Sequence, residues 1–231
     1  FRRNQLRTLP AVDEAVASIL DALADRGQLA NTLVVFTSDN GFLWGEHRLS
    51  GKRHPYDESI RVPLIVRYDG LVGAARTDRR SVLGIDLAPT FAELAGVEAP
   101  GAEGRSLLPL LRRDDARWPS AFLVETLHGG GQTYCGIRAQ RSKFVAYANG
   151  DRELYDLATD PYELRNLAGA PSRASAVSLL RARLARLCNP TPPGLSRKLL
   201  CTRVGTNGSD TLLGSERYDI VCANGGADTI D

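Results

Sequence analysis

Residues 31–41 read NTLVVFTSDNG, and the reading of this stretch decides the fold. The continuous apolar run Leu33–Phe36 gives way abruptly to Ser38, Asp39, Asn40 and Gly41. Such a run fits a strand buried on both faces, as in a parallel sheet covered by helices. Polar groups just past the C-terminal end of such a strand sit where α/β folds place their active sites. Upstream, PAVDEAVASILDALADRGQ (10–28) predicts an amphipathic helix, with Val12, Val16, Ile19, Leu20 and Leu23 on one face and Gly27 as its stop. Downstream, RVPLIVR (61–67) predicts a strand, and IDLAPTFAELAGV (85–97) predicts a helix ended by Gly96. Residues 1–115 therefore have α/β character.

Beyond this point the pattern changes. AFLVETL, YCGIRAQ, KFVAYAN and ELYDL are short strand-like runs separated by Gly, Asn and Asp, which predicts an antiparallel sheet. SRASAVSLLRARLARLC (172–188) predicts a helix with Val177, Leu180, Leu184 and Leu187 on one side. Residues 116–188 thus form an antiparallel subdomain with a closing helix, and NPTPPG opens a linker over 189–200. A third style, over 201–231, places Asp210, Asp219 and Asp228 nine residues apart, each followed two positions later by Leu212, Val221 or Ile230. That is a nine-residue repeat of the kind that winds a parallel β-roll. Gly-rich turns would gather carbonyls and Asp carboxylates around a hard cation, while the alternate apolar residue points inward.

Composition narrows the classes. The 231 residues are 43% apolar and 24% charged, ordinary for a globular chain with a sizeable core. The formal charge of +2 is too balanced to argue for nucleic acid as the main partner, and no apolar run is long enough to span a membrane. Oligomeric state leaves no mark in the sequence. The chain opens on Phe1 and contains no Met, so the expectation is a chain without its natural start. Cys135, Cys188, Cys201 and Cys222 form no C-x-x-C pair. Two disulfides in an oxidising compartment, or four buried thiols, both fit that count.

The chemistry centres on Asp39-Asn40-Gly41, followed by Gly51-Lys52-Arg53. A carboxylate beside an amide oxygen suits a hard cation such as calcium or magnesium. Lys52, thirteen positions after Asp39, could return to that place as a point charge for an anionic substrate. From the residues alone, a cation-assisted anion site and an ordinary loop both remain open.

The longer segment TSDNGFLWGEHRLSGKRHPYDESIRVPLIVR (37–67) resembles the C-terminal active-site segment of type I sulfatases, in the alkaline-phosphatase superfamily, with arylsulfatase-like and N-acetylglucosamine-6-sulfatase-like members nearest. AVDEAVASILDALADRGQLANT, IDLAPTFAELAGV, GRSLLPLL and GIRAQRSKFVAYANGDRELYDLATDPYELRNLA follow in the family's order, so the resemblance covers residues 5–187. It implies a mixed sheet with helices, of which this chain holds part. It implies that Asp39 and Asn40 ligate a divalent cation, usually calcium, and that Lys52 contacts the sulfate oxygens. His47 falls in the family's Gly-Glu-His, near the substrate, with a structural loop role as its alternative. His54 and Arg53, beside Lys52, would touch the substrate's sugar or aromatic part, while Glu58, Arg61 and Pro63 hold the loop.

The family's nucleophile is a formylglycine made from a Cys-x-Pro-x-Arg or Ser-x-Pro-x-Arg motif, and neither motif occurs here. The resemblance therefore implies the C-terminal part of a sulfate monoester hydrolase, inactive alone, acting on a small-molecule or carbohydrate sulfate ester. Two other readings stand beside it: a phosphomonoester or phosphonate hydrolase of the same superfamily, and a non-catalytic secreted calcium-binding module.

The tail resembles the RTX (haemolysin-type) calcium-binding repeat, in the short form flanked by cysteines. Its middle repeat departs from the pattern, with Glu216-Arg217-Tyr218 where glycines are expected. The resemblance implies calcium in the tail, a Cys201–Cys222 pair leaving Cys135 for Cys188, and a bacterial protein that is secreted, periplasmic or at the cell surface.

Overall fold

The computed structural model describes residues 2–112, 115–126, 133–188, 195, 203–204, 209, 211–212, 221–222 and 229–230. The chain divides into two units, one built from residues 1–39 and 62–117, the other from 40–61 and 118–231.

In the first unit, α1 (Arg2–Leu6) precedes α2 (Leu9–Asp25), which has Pro in its first turn, where a missing N–H costs no intrahelical bond. The stop predicted at Gly27 is there: its φ is +65°, its N–H bonds Ala24 O at 2.8 Å, and Gln28 N–H bonds Leu23 O at 2.8 Å. These two bonds satisfy carbonyls the last turn would leave open, and only glycine takes that φ without a Cβ penalty. The predicted apolar face of α2 is not buried: Val16, Leu20 and Leu23 are half-buried, and Val12 and Ile19 are exposed.

The predicted strands are β1 (Val34–Thr37) and β4 (Leu64–Arg67), but they pair with each other, antiparallel, from Val34 opposite Arg67 to Thr37 opposite Leu64. The expectation of a doubly buried parallel strand is corrected here, since Phe36 and Ile65 are exposed. An apolar run reports a wish to be buried, not the direction of the partner that buries it. After a 3₁₀ turn at Gly84–Asp86, α4 runs Leu87–Ala95 and stops at Gly96, as predicted. The buried Asp86 carboxylate accepts the N–H groups of Leu83 and Arg105, both at 2.8 Å. Thr90 Oγ1 accepts from Leu107 N–H, and so ties the chain ahead of α5 (Leu108–Arg112) onto α4.

The second unit carries the antiparallel sheet β5 (Ala121–Thr126), β6 (Tyr134–Ala139), β7 (Ser142–Tyr147) and β8 (Arg152–Asp156), paired in that order. It matches the four predicted runs. Alternation along the strands gives the sheet two different faces. Cys135, Ile137, Phe144, Ala146 and Leu154 face α6 (Ala174–Leu187) and pack with Val177, Leu184 and Ala185. Leu187, predicted on this apolar side, is exposed. A Cys135–Cys188 disulfide closes the end of this layer, as expected. The opposite face carries Arg138, Lys143, Val145, Tyr147 and Glu153, with Ile60 packed against its apolar part. It receives the segment that runs from the hairpin β2 (Leu43–Trp44) and β3 (Ser50–Gly51) through α3 (Asp57–Ile60).

Four short strands lie near the C-terminus: β9 (Arg203–Val204), β10 (Thr211–Leu212), β11 (Val221–Cys222) and β12 (Thr229–Ile230). β9 pairs parallel with β11, and β10 pairs parallel with β12. Among the described residues, no helix is long and apolar enough to cross a membrane.

Candidate active site

Gly41 explains why the chain turns where it does. Its N–H bonds Ser59 O at 2.9 Å, and a Cβ added there would stand 2.0 Å from Glu58 O. Only glycine permits two backbones so close. The contact anchors the loop after Asn40 to the end of α3 and returns the β2–β3 hairpin toward its own start. Lys52, the residue after β3, then reaches Asn40: Lys52 Nζ donates to Asn40 Oδ1 at 2.8 Å. Asn40 Nδ2 donates to Gly41 O at 2.9 Å, which fixes the amide's orientation so that its oxygen faces the ammonium. Asp39 Oδ1 accepts from Ser38 Oγ at 3.4 Å, and its carboxylate is exposed.

His47 sits in the left-handed region, with φ +53° and ψ +18°, and Arg48 and Arg53 also have positive φ. Two such residues in the turn of the hairpin and one just past β3, none of them glycine, mark a backbone held by its surroundings. The His47 ring lies flat on Tyr56, with centroids 3.7 Å apart and planes 9° apart. Its Nε2 faces Glu58 Oε2 at 3.5 Å, and both atoms are enclosed with no other hydrogen-bond partner. That enclosure is what a structural loop role for His47 asks for. His54 lies half-buried beyond Lys52, its backbone N–H 3.4 Å from Ser59 Oγ.

What holds this segment is a group of charges that no local pattern signals. Asp57 Oδ1 lies 2.7 Å from Lys143 Nζ, and its Oδ2 lies 3.0 Å from Arg138 Nη2. The Lys143 side chain is only 1% exposed; its ammonium also donates to Pro55 O at 2.7 Å and pairs with Glu163 Oε1 at 2.6 Å. Glu163 Oε2 accepts Asp57 N–H at 2.7 Å. Burial disfavours the Asp57 carboxylate's charge, but Arg138 and Lys143 outweigh it and hold its pKa below the ordinary value. For the fully enclosed Glu163, burial is the largest effect and pushes the pKa up despite Lys143. Next to this group, Glu153 accepts from Tyr56 and Tyr147 hydroxyls at 3.0 and 2.9 Å. Burial and then the Glu153 charge push the Tyr56 phenol up to about 12, so it stays a donor. Residues 55–58 are thereby bolted to one face of the sheet, and Lys52 projects from the fixed end.

Among the described residues, the one grouping of three metal-type side chains is Glu125, Cys135 and Cys188, and the disulfide removes its two sulfurs from that role. Asp210, Asp219 and Asp228 lie outside the described residues, as does Cys201.

The mixed α/β arrangement with an antiparallel closing subdomain defines a chain of the sulfatase, alkaline-phosphatase-like class. Comparison narrows this: residues 45–189 match the model of the N-sulphoglucosamine sulphohydrolase C-terminal family, and the chain belongs to that family. It is 38% identical over 180 residues to an N-acetylglucosamine-6-O-sulfatase of Bacteroides thetaiotaomicron, covering 73% of this chain and 32% of that protein. A solved structure in complex with its substrate D-glucosamine-2-N,6-O-disulfate superposes with a TM-score of 0.74 at 34% identity, over 81% of this chain and 40% of that one. The phosphonate monoester hydrolase of Agrobacterium radiobacter gives 0.70 at 30% identity, over 76% of this chain and 38% of that one. The chain spans about a third of the length of the curated relatives it matches.

Proposed function

We propose that this chain is the C-terminal part of a sulfuric ester hydrolase and supplies the sulfate-facing lysine of its active site. The observation that carries the reading is the 2.8 Å bond from Lys52 Nζ to Asn40 Oδ1, which joins two of the residues the resemblance assigns to the site. An ammonium is a compact charge suited to a tetrahedral anion. Held by Asn40 and by the bolted segment behind it, Lys52 meets developing charge on the ester oxygens with little reorganisation. Asp39 and Asn40 offer hard oxygen donors of the type calcium or magnesium takes. Asn40 Oδ1 has a second lone pair beyond the one directed at Lys52, so the amide can serve both. The cation would supply Lewis-acid stabilisation of the sulfate. Two protein oxygens are too few for such an ion, and these residues contain no formylglycine motif; the remaining ligands and the nucleophile are expected elsewhere in the enzyme. The chain alone is accordingly expected to turn over no ester. His47 acts as a positioning residue through Tyr56 and Glu58, and His54 is the residue proposed to touch the substrate's organic part.

The substrate class is a carbohydrate sulfate ester, in line with the sugar sulfatases to which the chain is similar. Calcium-binding repeats in the tail are supported by the nine-residue spacing of Asp210, Asp219 and Asp228 and by parallel pairing of strands two repeats apart. Such a tail, with disulfides, suits a secreted or cell-surface protein. A second reading, phosphonate monoester hydrolysis, is favoured by the likeness to the Agrobacterium radiobacter enzyme. Assaying the enzyme that carries this chain on sulfated glucosamines and on phosphonate monoesters separates the two. Higher kcat/KM on the sulfate ester is expected, and higher kcat/KM on the phosphonate reverses the assignment.

A further inference from the structure

The first unit keeps almost no core of its own. Among the described residues, its buried apolar side chains are Leu107, Leu108 and Leu110, all in or beside α5. The apolar residues of its other elements face outward. α2 runs for 17 residues and buries none of them. On its apolar face Val12 is exposed and Ile19 is 58% exposed. An amphipathic helix draws most of its stability from packing that face, so a face left in water marks a missing neighbour. The β1–β4 ribbon repeats the pattern. Phe36 stands opposite Ile65 in the register, so both side chains share one face, and they are 38% and 63% exposed. A two-stranded ribbon is marginal by itself, and each strand here has one edge with no strand beside it among the described residues. Two separate elements of one unit thus hold apolar surface in water, where burial would lower its free energy.

We propose that the apolar face of α2 and the Phe36–Ile65 face of the ribbon are the docking surface for the rest of the hydrolase, a folded polypeptide that adds a strand to the ribbon and covers both faces. This rests on the assignment of the chain to a larger enzyme and names the surface by which the two parts join. An open strand edge is satisfied by another strand, which a lipid or a small ligand cannot offer. The chain covers 40% of the solved structure that holds the glucosamine disulfate and 32% of the N-acetylglucosamine-6-O-sulfatase, so the larger part of such a fold has no counterpart in these residues. β1 leads directly into Ser38 and Asp39, so a segment docked on the ribbon arrives beside one of the proposed cation ligands. The remaining ligands and the nucleophile are needed there. A second copy of this chain would bring neither, since it lacks the formylglycine motif too.

The test is hydroxyl-radical footprinting of the enzyme that carries this chain, read peptide by peptide in a mass spectrometer and corrected for the reactivity of each side chain. Leu164 of the second unit, 76% exposed, is the reference for a free side chain. Phe36 and Ile65 are expected to lose most of the labelling that Leu164 takes. Thermal unfolding of the same enzyme gives a second readout. Ile65→Ser should lower the midpoint by about 5 °C, as a buried large-to-small change does, while Leu164→Ser leaves it unchanged. Where Ile65→Ser does not fold, Ile65→Val should fold with a loss of about 2 °C. Labelling of Phe36 and Ile65 at the rate of Leu164 overturns the proposal, as does an Ile65→Ser enzyme no less stable than Leu164→Ser. Protection that vanishes when the enzyme is diluted to single molecules assigns the surface to a second copy and also overturns it. None of these readouts uses an ester. An enzyme with both residues covered and no sulfatase turnover keeps the docking surface and loses the sulfuric ester assignment; an active enzyme with both residues labelled does the reverse.

Discussion

Arg138 grips Asp57 through two parallel bonds, Nε to Oδ1 at 3.1 Å and Nη2 to Oδ2 at 3.0 Å, across 81 positions of sequence. Planar guanidinium against planar carboxylate is the strongest geometry an ion pair takes. Here it fixes the segment that follows Lys52 to the antiparallel sheet. Lys143 adds a second cation and Glu163 a second anion, so the enclosed group is balanced.

Removing one member of such a group leaves charge buried and uncompensated. Asp57→Asn should destabilise the fold by roughly 3 kcal/mol. The sign of its pH dependence follows from the depressed pKa of Asp57. Its contribution is present above the unfolded carboxylate pKa, about 4, and is lost as pH falls through the lower folded value. Glu163 runs the other way, with a raised folded pKa whose contribution is greatest in acid and fades as pH rises through that value. Urea denaturation of both proteins at pH 6 and pH 3 checks this. The gap between them should narrow at pH 3, and an equal gap at both would count against it.

Gly41→Ala should cost roughly 1–3 kcal/mol, since its methyl would overlap Glu58 O and one backbone must move. The same shift would separate Asn40 from Lys52. Thermal denaturation together with sulfate titration reads both effects, and a variant normal in both would show that the close approach has no consequence.

The Cys135–Cys188 bridge spans 53 positions and joins β6 to the end of α6. By chain entropy, closing a loop of that length stabilises the fold by about 4 kcal/mol. Double substitution to serine should lower the urea midpoint accordingly, and reductant should then have little further effect on this layer.

How much of this was legible in the sequence depends on distance along the chain. Gly27 and Gly96 announce helix ends because a left-handed stop is a local requirement. The four sheet strands announce themselves through alternation and polar breaks. The β1–β4 pairing did not: the continuous run Leu33–Phe36 reads as a doubly buried parallel strand, whereas β1 pairs antiparallel with β4 and leaves Phe36 exposed. The charges around Asp57 were hidden as well. Glu163 stands in DPYELRN and Lys143 in RSKFVAY, 106 and 86 positions from Asp57, and nothing local to either stretch points to it. Only the fold brings them together. Asn40 and Lys52 were legible as a pair through the family pattern, whereas the enclosure of His47 depends on Tyr56 and Glu58 standing over it.

The tail offers an independent check on the calcium proposal. Cys201 is expected to pair with Cys222, and calcium to order residues 201–231, whose few apolar residues cannot offset the entropy of ordering alone. Peptide mapping without reductant tests the pairing, and a Cys188–Cys201 link would refute it. Proteolysis should cut the tail faster with chelator than with calcium; equal cutting would end the claim.

The central claim is that Lys52 stabilises charge on a sulfate ester, and turnover by the Lys52→Ala variant tests it most directly. In the enzyme that carries this chain, kcat should fall by about two to three orders of magnitude, as the loss of one positioned stabilising group does. Its thermal midpoint should stay within error of the unsubstituted enzyme, because an exposed lysine contributes little packing. Full activity on a sulfated sugar in a folded Lys52→Ala enzyme would contradict the account.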